Sequence, residues 1–174
     1  EQLGEESLND FLAEGKILPL PPRLKPSDRI DNFEVLEILH ESRASRLYKV
    51  LQVDTKQVLV LKTLQPQLAD DAASCAGLLM EEWLAKRVLA HYFPQVVPQA
   101  AGGRSALYYV MSYHEGATLQ QRLDQGQHFS VADVAQIGIR LAKGLSALHR
   151  LHVIHRDIKP ANLHSDTEGK LRIL

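Results

Sequence analysis

The sequence predicts an α+β fold in which a small antiparallel sheet precedes a mostly helical segment. Three short alternating or apolar runs come first, and two more follow after a helical stretch. A long amphipathic segment then precedes a polar loop near the end of the chain. The 174 residues suffice for one domain with a core, or for one small lobe and part of another.

Composition and charge exclude several classes of protein. The chain has 45% apolar residues, 24% charged residues and a net charge of −1, as in an ordinary globular protein. Near-neutral charge argues against a nucleic-acid binder, and no apolar run reaches the roughly 20 residues of a membrane span. Cys75 is the single cysteine, so no disulfide forms within the chain and a reducing, cytoplasmic location is expected.

Residues 1–29 are predicted to be a linker that leads into the first strand. Its acidic amphipathic start, residues 1–15, is expected to be a solvated end, although Phe11 and its apolar neighbours share one side. Four prolines follow within 19–26, and because proline lacks an N–H donor this stretch should form an extended tether. Its leucines could dock on a neighbouring surface. The first folded lobe should span residues 30–113.

The predicted sheet has five strands, with one helix inserted after the third. The strands are expected at 32–39, 46–53, 57–64, 96–101 and 107–113. The inserted helix should cover residues 70–91, since acidic residues lie at its start and basic residues near its end. A turn at 102–105 joins the last two strands.

Residues 114–174 are predicted to form the connection to a second lobe and the first part of that lobe. A short helix is expected at 117–123, and Ser130 with Asp133 should make a capping box that opens a long helix to about residue 151. Apolar residues occupy more than one side of this helix, which is typical of a helix covered on most sides.

A polar loop at 155–162, with the letters HRDIKPAN, follows the long helix. Phosphoryl transfer needs a carboxylate that accepts the proton of the attacking hydroxyl, and oxygen ligands for Mg²⁺. Asp157 and the amide of Asn162 can supply both from one tight loop. Lys159 can reach the transferred phosphate as a point charge.

This loop resembles the H-R-D-x-K-P-x-N catalytic loop of eukaryotic-type Ser/Thr protein kinases of the bacterial kind. The resemblance implies a protein-kinase-like fold, with a five-stranded antiparallel N-lobe, one inserted helix and the first part of a helical C-lobe. It implies ATP and Mg²⁺ as cofactors and a protein substrate with a Ser or Thr hydroxyl. It also implies catalytic roles for Asp157, Lys159 and Asn162, of which Asn162 would be the metal ligand.

The strand that ends in Lys62 resembles the family's third strand, whose lysine contacts the α- and β-phosphates. An ammonium at the end of an apolar strand needs an anionic partner, which the resemblance places on the inserted helix. Glu81 is predicted over Glu82, because apolar residues follow Glu81 at all three core-facing positions while the same spacing from Glu82 puts a lysine in the core. Glu82 is expected to be solvated.

The run 107–116 is similar to the family's fifth strand and interlobe connection. By that match Met111 is the gatekeeper, and the backbone of Ser112 and His114 would hydrogen-bond adenine. Val60 stands where the family has alanine, which would narrow the adenine slot.

The loop that should cover the phosphates departs from the family pattern G-x-G-x-x-G-x-V. His40, Ser42 and Ser45 replace the three glycines, and Leu47 replaces the valine. Glycine there lets backbone N–H groups approach the phosphates closely. Nucleotide binding is therefore expected to be weaker or differently built, with serine hydroxyls or either of the loop's two arginines supplying contacts.

Residues 171–174 resemble the strand before the family's D-F-G motif. The chain is therefore expected to be truncated just before the metal-binding aspartate, and the segment alone to have little or no activity. The tether, first strand and glycine-less loop also resemble bacterial fusions of a metal-dependent protein phosphatase to a kinase domain. That resemblance implies a phosphatase domain before residue 1, whose hydrolysis nothing in these residues would perform.

Three functional hypotheses remain open at this point. The leading one is a transferase of bacterial signalling, with the parent protein phosphorylating protein Ser/Thr hydroxyls from ATP. The second is a pseudokinase that acts as a nucleotide-binding or scaffold module, which the glycine-less loop favours and the intact Lys62, Asp157 and Asn162 oppose. The third is a small-molecule kinase such as an aminoglycoside or choline kinase, against which Lys159 and Pro160 argue.

Overall fold

The computed structural model describes residues 7–15, 18–88, 91–99 and 103–174, which belong to two compact units. The first unit lies within Glu1–Arg87 and Val96–Tyr113, and the second comprises Val88–Gln95 and His114–Leu174. The start of the acidic piece and the ends of the predicted inserted helix and fourth strand lie outside the described residues, as does the start of the turn at 102–105.

The structure has helices α1 to α4 and strands β1 to β8, and β2, β3, β4, α2, β5, α3 and α4 follow one another as predicted. The helices are α1 (Leu8–Gly15), α2 (Ala72–Ala85), α3 (Leu119–Asp124) and α4 (Val131–Arg150). The strands are β1 (Arg29–Ile30), β2 (Phe33–Glu41), β3 (Ser45–Gln52), β4 (Val58–Leu64), β5 (Tyr108–Ser112), β6 (Gly116–Thr118), β7 (Leu163–Asp166) and β8 (Leu171–Ile173).

The first unit is built on an antiparallel sheet of five strands in the order β1-β2-β3-β4-β5, which confirms the predicted architecture. Alternate residues of a strand face opposite sides of a sheet. One side carries a buried cluster that includes Tyr48, Val50, Leu59, Leu61 and Val110. The other side meets α2, whose Leu78 and Leu79 are buried with Tyr109. The sheet therefore presents two different apolar faces.

One strand of the sheet is not the one that the sequence predicts. Arg29–Ile30 pairs with β2 and forms the edge of the sheet. From the predicted strand at 96–101, only Val96 among the described residues makes a bridge, with Met111. Pro98 has no N–H to donate to a ladder, which explains why pairing stops there.

Helix α1 packs against α2, so the expectation of a solvated end is wrong for residues 8–15. Phe11 of α1 is 7% exposed and belongs to the cluster of Leu78 and Leu79 from α2. The contact is close, since a Cβ on Gly15 would lie 2.2 Å from the side chain of Leu79. Burial of one aromatic ring outweighs the polarity of its neighbours.

Arg46 fastens the proline tether to the sheet. Its side chain is fully buried, and its guanidinium donates to the carbonyl oxygens of Leu64, Pro21 and Pro22 at 2.7, 2.9 and 2.9 Å. Because proline has no backbone N–H, the tether prolines can hydrogen-bond only through their carbonyl oxygens, which accept from Arg46. The predicted docking of tether leucines is confirmed by Leu24, which is 5% exposed.

The second unit combines α3 and α4 with the antiparallel sheet β6-β7-β8. The predicted capping box at Ser130 and Asp133 begins α4, and the Asp133 N–H donates to Ser130 Oγ at 3.1 Å. The short helix begins at Leu119 instead of residue 117, because Gly116–Thr118 pairs with β7 as a strand.

Helix α4 touches β8 at a glycine. A Cβ on Gly144 would lie 2.6 Å from Cδ1 of Ile173, so a larger residue there would force that side chain to move. Elsewhere α4 exposes apolar side chains, including Val131 and Val134. Within the described part of the chain, no helix is both long and apolar enough to cross a membrane.

Candidate active site

The loop at 155–162 brings the three predicted catalytic residues together in the second unit. Lys159 Nζ lies 2.9 Å from Asp157 Oδ2, and Asn162 Nδ2 donates to the same oxygen at 2.7 Å. The Asn162 amide also donates to the carbonyl oxygen of Asp157 at 2.8 Å. A 3-10 turn at Pro160–Asn162 brings the amide back to the carboxylate. The three side chains therefore meet around a single carboxylate oxygen.

Asp157 is held in its ionised form. The ammonium of Lys159, and then the amide of Asn162, hold the pKa of the Asp157 carboxyl below its ordinary value of 3.8. The side chain is 59% exposed, so a hydroxyl can approach it from solvent. An ionised, accessible carboxylate can orient a hydroxyl and accept its proton.

The loop at 155–162 is held to the backbone of Leu174 by one side-chain contact and one backbone hydrogen bond. His155 Nε2 lies 3.0 Å from the carbonyl oxygen of Leu174, and the Leu174 N–H donates to the carbonyl oxygen of Asn162 at 2.9 Å. Arg156 adopts a left-handed backbone with φ of 66°, which is unfavourable for a residue with a Cβ. Such strain is concentrated at functional sites, where the surrounding contacts enforce it.

In the first unit, Lys62 of β4 and Glu81 of α2 form the predicted ion pair. Lys62 Nζ lies 2.5 Å from Glu81 Oε1, and the hydroxyl of Tyr109 donates to the same oxygen at 2.7 Å. Tyr109 is 3% exposed. Burial, and then the charge of Glu81, raise the pKa of Tyr109 well above its ordinary value, so the phenol keeps its proton and remains a donor.

Glu82 is buried, so the expectation that it is solvated is wrong. It is 3% exposed, with Oε2 at 2.7 Å from Arg104 Nη1 and Oε1 at 3.0 Å from Lys86 Nζ. The helical spacing argument considered only apolar neighbours and solvent. Arg104, which reaches α2 from the loop before β5, lies far from Glu82 in sequence, and no local pattern indicates that the two side chains meet.

Five of the predicted nucleotide-contacting residues lie on one face of the first unit's sheet. His40, Leu47 and Lys62 are directly opposed across β2, β3 and β4, and Val60 is opposed to Met111 across β4 and β5. Opposed residues share a face, as do residues two apart on a strand. Because Lys62 is one of these five residues, its ion pair with Glu81 lies on the same face as the other four.

The turn between β2 and β3 is closed by serine where the family pattern has glycine. Ser42 Oγ accepts from the N–H groups of Ser45 and Ala44 at 3.0 and 3.2 Å, and the Ser42 N–H donates to the Ser45 carbonyl oxygen at 2.9 Å. Two N–H groups of the kind that cradle phosphates are thus occupied by one hydroxyl. The buried Arg46, one of the two loop arginines, is not available to a phosphate, so that expectation is wrong for it.

The two predicted adenine-binding positions fall in different units. Ser112 is the last residue of β5 and is half-buried. His114 belongs to the second unit, where burial, and then the charge of Arg172, lower its pKa below 6.5. The role of each in contacting adenine stays a prediction.

Asn162 is suited to ligate Mg²⁺. Its Nδ2 faces Asp157, which leaves Oδ1 on the other side of the amide, and Mg²⁺ prefers oxygen ligands that include phosphates and water. Among the described residues, no cluster of three or more His, Cys, Asp or Glu side chains could hold a metal by itself.

Two functional contacts escaped the sequence analysis, the hydroxyl of Tyr109 and the guanidinium of Arg104. Tyr109 is opposed to Lys62 across β4 and β5, so it shares the face of Lys62. Residues two apart on a strand face the same side of the sheet, so the predicted position of Met111 indicates that the Tyr109 side chain faces the same side. No pattern near Arg104 indicates its partner, which lies 22 residues away.

Comparison with known proteins finds protein kinases, the family that the loop at 155–162 resembles. Residues 33–174 match the family described as protein kinase domain. A probable serine/threonine-protein kinase of Dictyostelium discoideum is 27% identical over 95% of this chain and 41% of its own length. Serine/threonine-protein kinase YPK1 of Saccharomyces cerevisiae is 27% identical over 88% of this chain and 22% of its own length. The chain therefore spans less than half the length of these relatives.

Solved structures show the same fold. The PpkA-294 apo form has a TM-score of 0.74 at 18% identity, covering 88% of this chain and 61% of that one. The PknI kinase domain of Mycobacterium tuberculosis has a TM-score of 0.71 at 22% identity, covering 87% of this chain and 60% of that one. With a family match over most of its residues and this fold, the chain belongs to the protein kinase domain family.

Proposed function

We propose that the full-length protein transfers the γ-phosphoryl group of ATP to Ser or Thr hydroxyls of protein substrates. The observation that carries the proposal is the meeting of Lys159 and Asn162 at one oxygen of the ionised Asp157. Membership of the protein kinase domain family supports it, as do relatives that are named serine/threonine-protein kinases.

Each residue has a distinct task in this mechanism. Asp157 orients the substrate hydroxyl and accepts its proton as the bond to phosphorus forms. Lys159 offsets the negative charge on the transferred group, while Lys62, held by Glu81, would neutralise the remaining phosphates. Bound Mg²⁺ would supply further charge neutralisation, and Asn162 is the residue that would hold it.

The test is Asp157→Asn in the full-length protein. Loss of the base should lower transfer from radiolabelled ATP to protein Ser/Thr by roughly 10²- to 10⁴-fold, the usual contribution of general-base catalysis. Asp124→Asn, an exposed carboxylate at the end of α3, is the matched control and should transfer at the reference rate. Equal rates for Asp157→Asn and the control would reject the proposal.

A second function, nucleotide sensing by a pseudokinase, is favoured by one observation. Ser42 Oγ occupies the N–H groups of Ala44 and Ser45, which weakens the cradle for phosphates. This function predicts ATP binding without measurable transfer in the same assay. A cytoplasmic location, and a phosphatase domain before residue 1, remain predictions.

A further inference from the structure

Two consecutive acidic residues of α2, Glu81 and Glu82, are held by different partners. Consecutive residues leave an α-helix about 100° apart, so the two carboxylates point in different directions. Glu81 Oε1 accepts from Lys62 and Tyr109 on the nucleotide-facing side of the sheet. Glu82 is buried against Arg104 Nη1, at 2.7 Å.

Both carboxylates are connected to strand β5. The hydroxyl of Tyr109 reaches Glu81 directly. Arg104 reaches Glu82 and also donates to the backbone carbonyl oxygen of Tyr108. Glu81 is thus held by a side chain of β5, and Glu82 by Arg104, whose guanidinium also binds the β5 backbone. The side chains of Glu82 and Arg104 are only 3% and 9% exposed.

The alternative arrangement is a rotation of α2 by one residue position. Such a rotation would turn Glu82 toward Lys62 in place of Glu81. A single contact at Glu81 allows this pivot, because Lys62 would pair equally with either carboxylate. The contact of Glu82 with Arg104, about 100° away around the helix, resists this rotation. Glu82 would have to leave Arg104, and the buried guanidinium would then lack a negatively charged partner.

We propose that Tyr109 and Arg104 are positioning residues that fix the rotation of α2 and so select Glu81 as the partner of Lys62. The proposal rests on the proposed function, because the Lys62–Glu81 pair serves phosphate binding there. Neither residue touches substrate in this proposal, and each acts through the carboxylate that it binds.

The first test compares Tyr109→Phe with Tyr108→Phe in the full-length protein. Each variant removes one phenol hydroxyl that donates to a carboxylate, but Tyr108 donates to Asp31 on the opposite side of the sheet. Tyr109→Phe should lower kcat/KM for ATP about tenfold, as loss of a hydrogen bond to a charged group does, and speed amide exchange in α2. Tyr108→Phe should leave both within about twofold.

The second test is a rescue. Arg104→Met leaves Glu82 buried without its arginine, so the helix should turn and kcat/KM for ATP should fall about tenfold or more. Adding Glu82→Gln removes the buried charge, so the double variant should recover most of the loss. A purely structural role for Arg104 predicts instead that Arg104→Met lowers the free energy of unfolding but leaves kcat/KM for ATP of the folded protein unchanged.

Outcomes for the inference and for the proposed function are separable. Equal kcat/KM and equal α2 exchange in Tyr109→Phe and Tyr108→Phe would overturn the inference, as would a reference rate in Arg104→Met. Absence of transfer by the reference protein would reject the function. In that case, α2 exchange and ATP binding, measured by calorimetry in the same variants, would still decide the inference.

Discussion

Each unit carries its own set of candidate site residues, a half-site, and the residues of the two half-sites are positioned in different ways. In the second unit, Lys159 and Asn162 reach Asp157 across two and five positions of the same loop. In the first unit, Glu81 lies 19 residues from Lys62 and 28 from Tyr109, on separate elements. The first half-site therefore depends on how a sheet and a helix pack, whereas the second depends on the local path of one loop.

Of the tests that compare the two units, the one with the largest expected effect removes the charge of Lys62 in the first half-site. Lys62→Met should lower kcat/KM for ATP by roughly 10²- to 10³-fold, the usual cost of losing one preorganised charge partner of the reacting group. Kinetic assays of the full-length protein would measure it. The matched control is Lys56→Met at the exposed β3–β4 turn, which should keep the reference value. If both variants lose activity equally, the assigned role of Lys62 is wrong.

Arg46→Met tests whether the stability of the first unit depends on the contacts between the proline tether and the sheet. The change strands the carbonyl oxygens of Pro21, Pro22 and Leu64, so the free energy of unfolding should fall by about 3 kcal/mol. Urea denaturation would measure the loss. Arg43→Met, at an exposed position of the same hairpin, should change stability by less than about 0.5 kcal/mol. Similar values for the two variants would contradict the role of Arg46.

Lys159→Met tests whether the second half-site is local. Without the ammonium, the pKa of Asp157 should rise toward its ordinary value, so the carboxylate is lost at higher pH as the solution is acidified. Carbon NMR titration of the Asp157 carboxyl would follow the change. The exposed Lys143→Met on α4 is the control and should leave the titration in place. An unchanged pKa in Lys159→Met would mean that other groups set the charge of Asp157.

The smallest effect concerns the pH dependence of stability in the second unit. Burial, and then His114, lower the pKa of His164 below 6.5. Its contribution is complete above the unfolded pKa and is lost as pH falls through the folded pKa, because the unfolded state then binds an extra proton. His164→Gln should flatten the fall in stability between about pH 7 and pH 5, measured by denaturation. An unchanged or steeper slope in His164→Gln would contradict the assignment.

The same contrast explains what the sequence could predict. The resemblance of the loop at 155–162 to the kinase catalytic loop indicates Asp157, Lys159 and Asn162, and residues so near in sequence on one loop meet without long-range packing. Alternating or apolar runs predicted β2, β3 and β4, and residues of all three strands lie in the core on one side of the sheet. Glu81 required a helical spacing argument, which chose the right residue of the two.

Long-range partners of polar side chains were not predictable in this way. Glu82 looked solvated because no local pattern indicates Arg104, and Arg46 looked available to phosphate because nothing near it indicates Pro21. Both guanidinium groups satisfy carbonyl or carboxylate oxygens that come close only after folding. Phe11 was misplaced for a similar reason, since its partners lie on α2.

The fastening of the tether has a consequence for proteolysis. A protease must draw an extended segment into its cleft, and such segments are usually loops whose backbone is free. Here the carbonyl oxygens of Pro21 and Pro22 are held by Arg46, and that of Pro19 accepts from the Leu107 N–H at 2.7 Å. Although the sequence of residues 19–26 is rich in proline, as in a linker, this segment should resist limited proteolysis as long as the sheet beneath it remains folded.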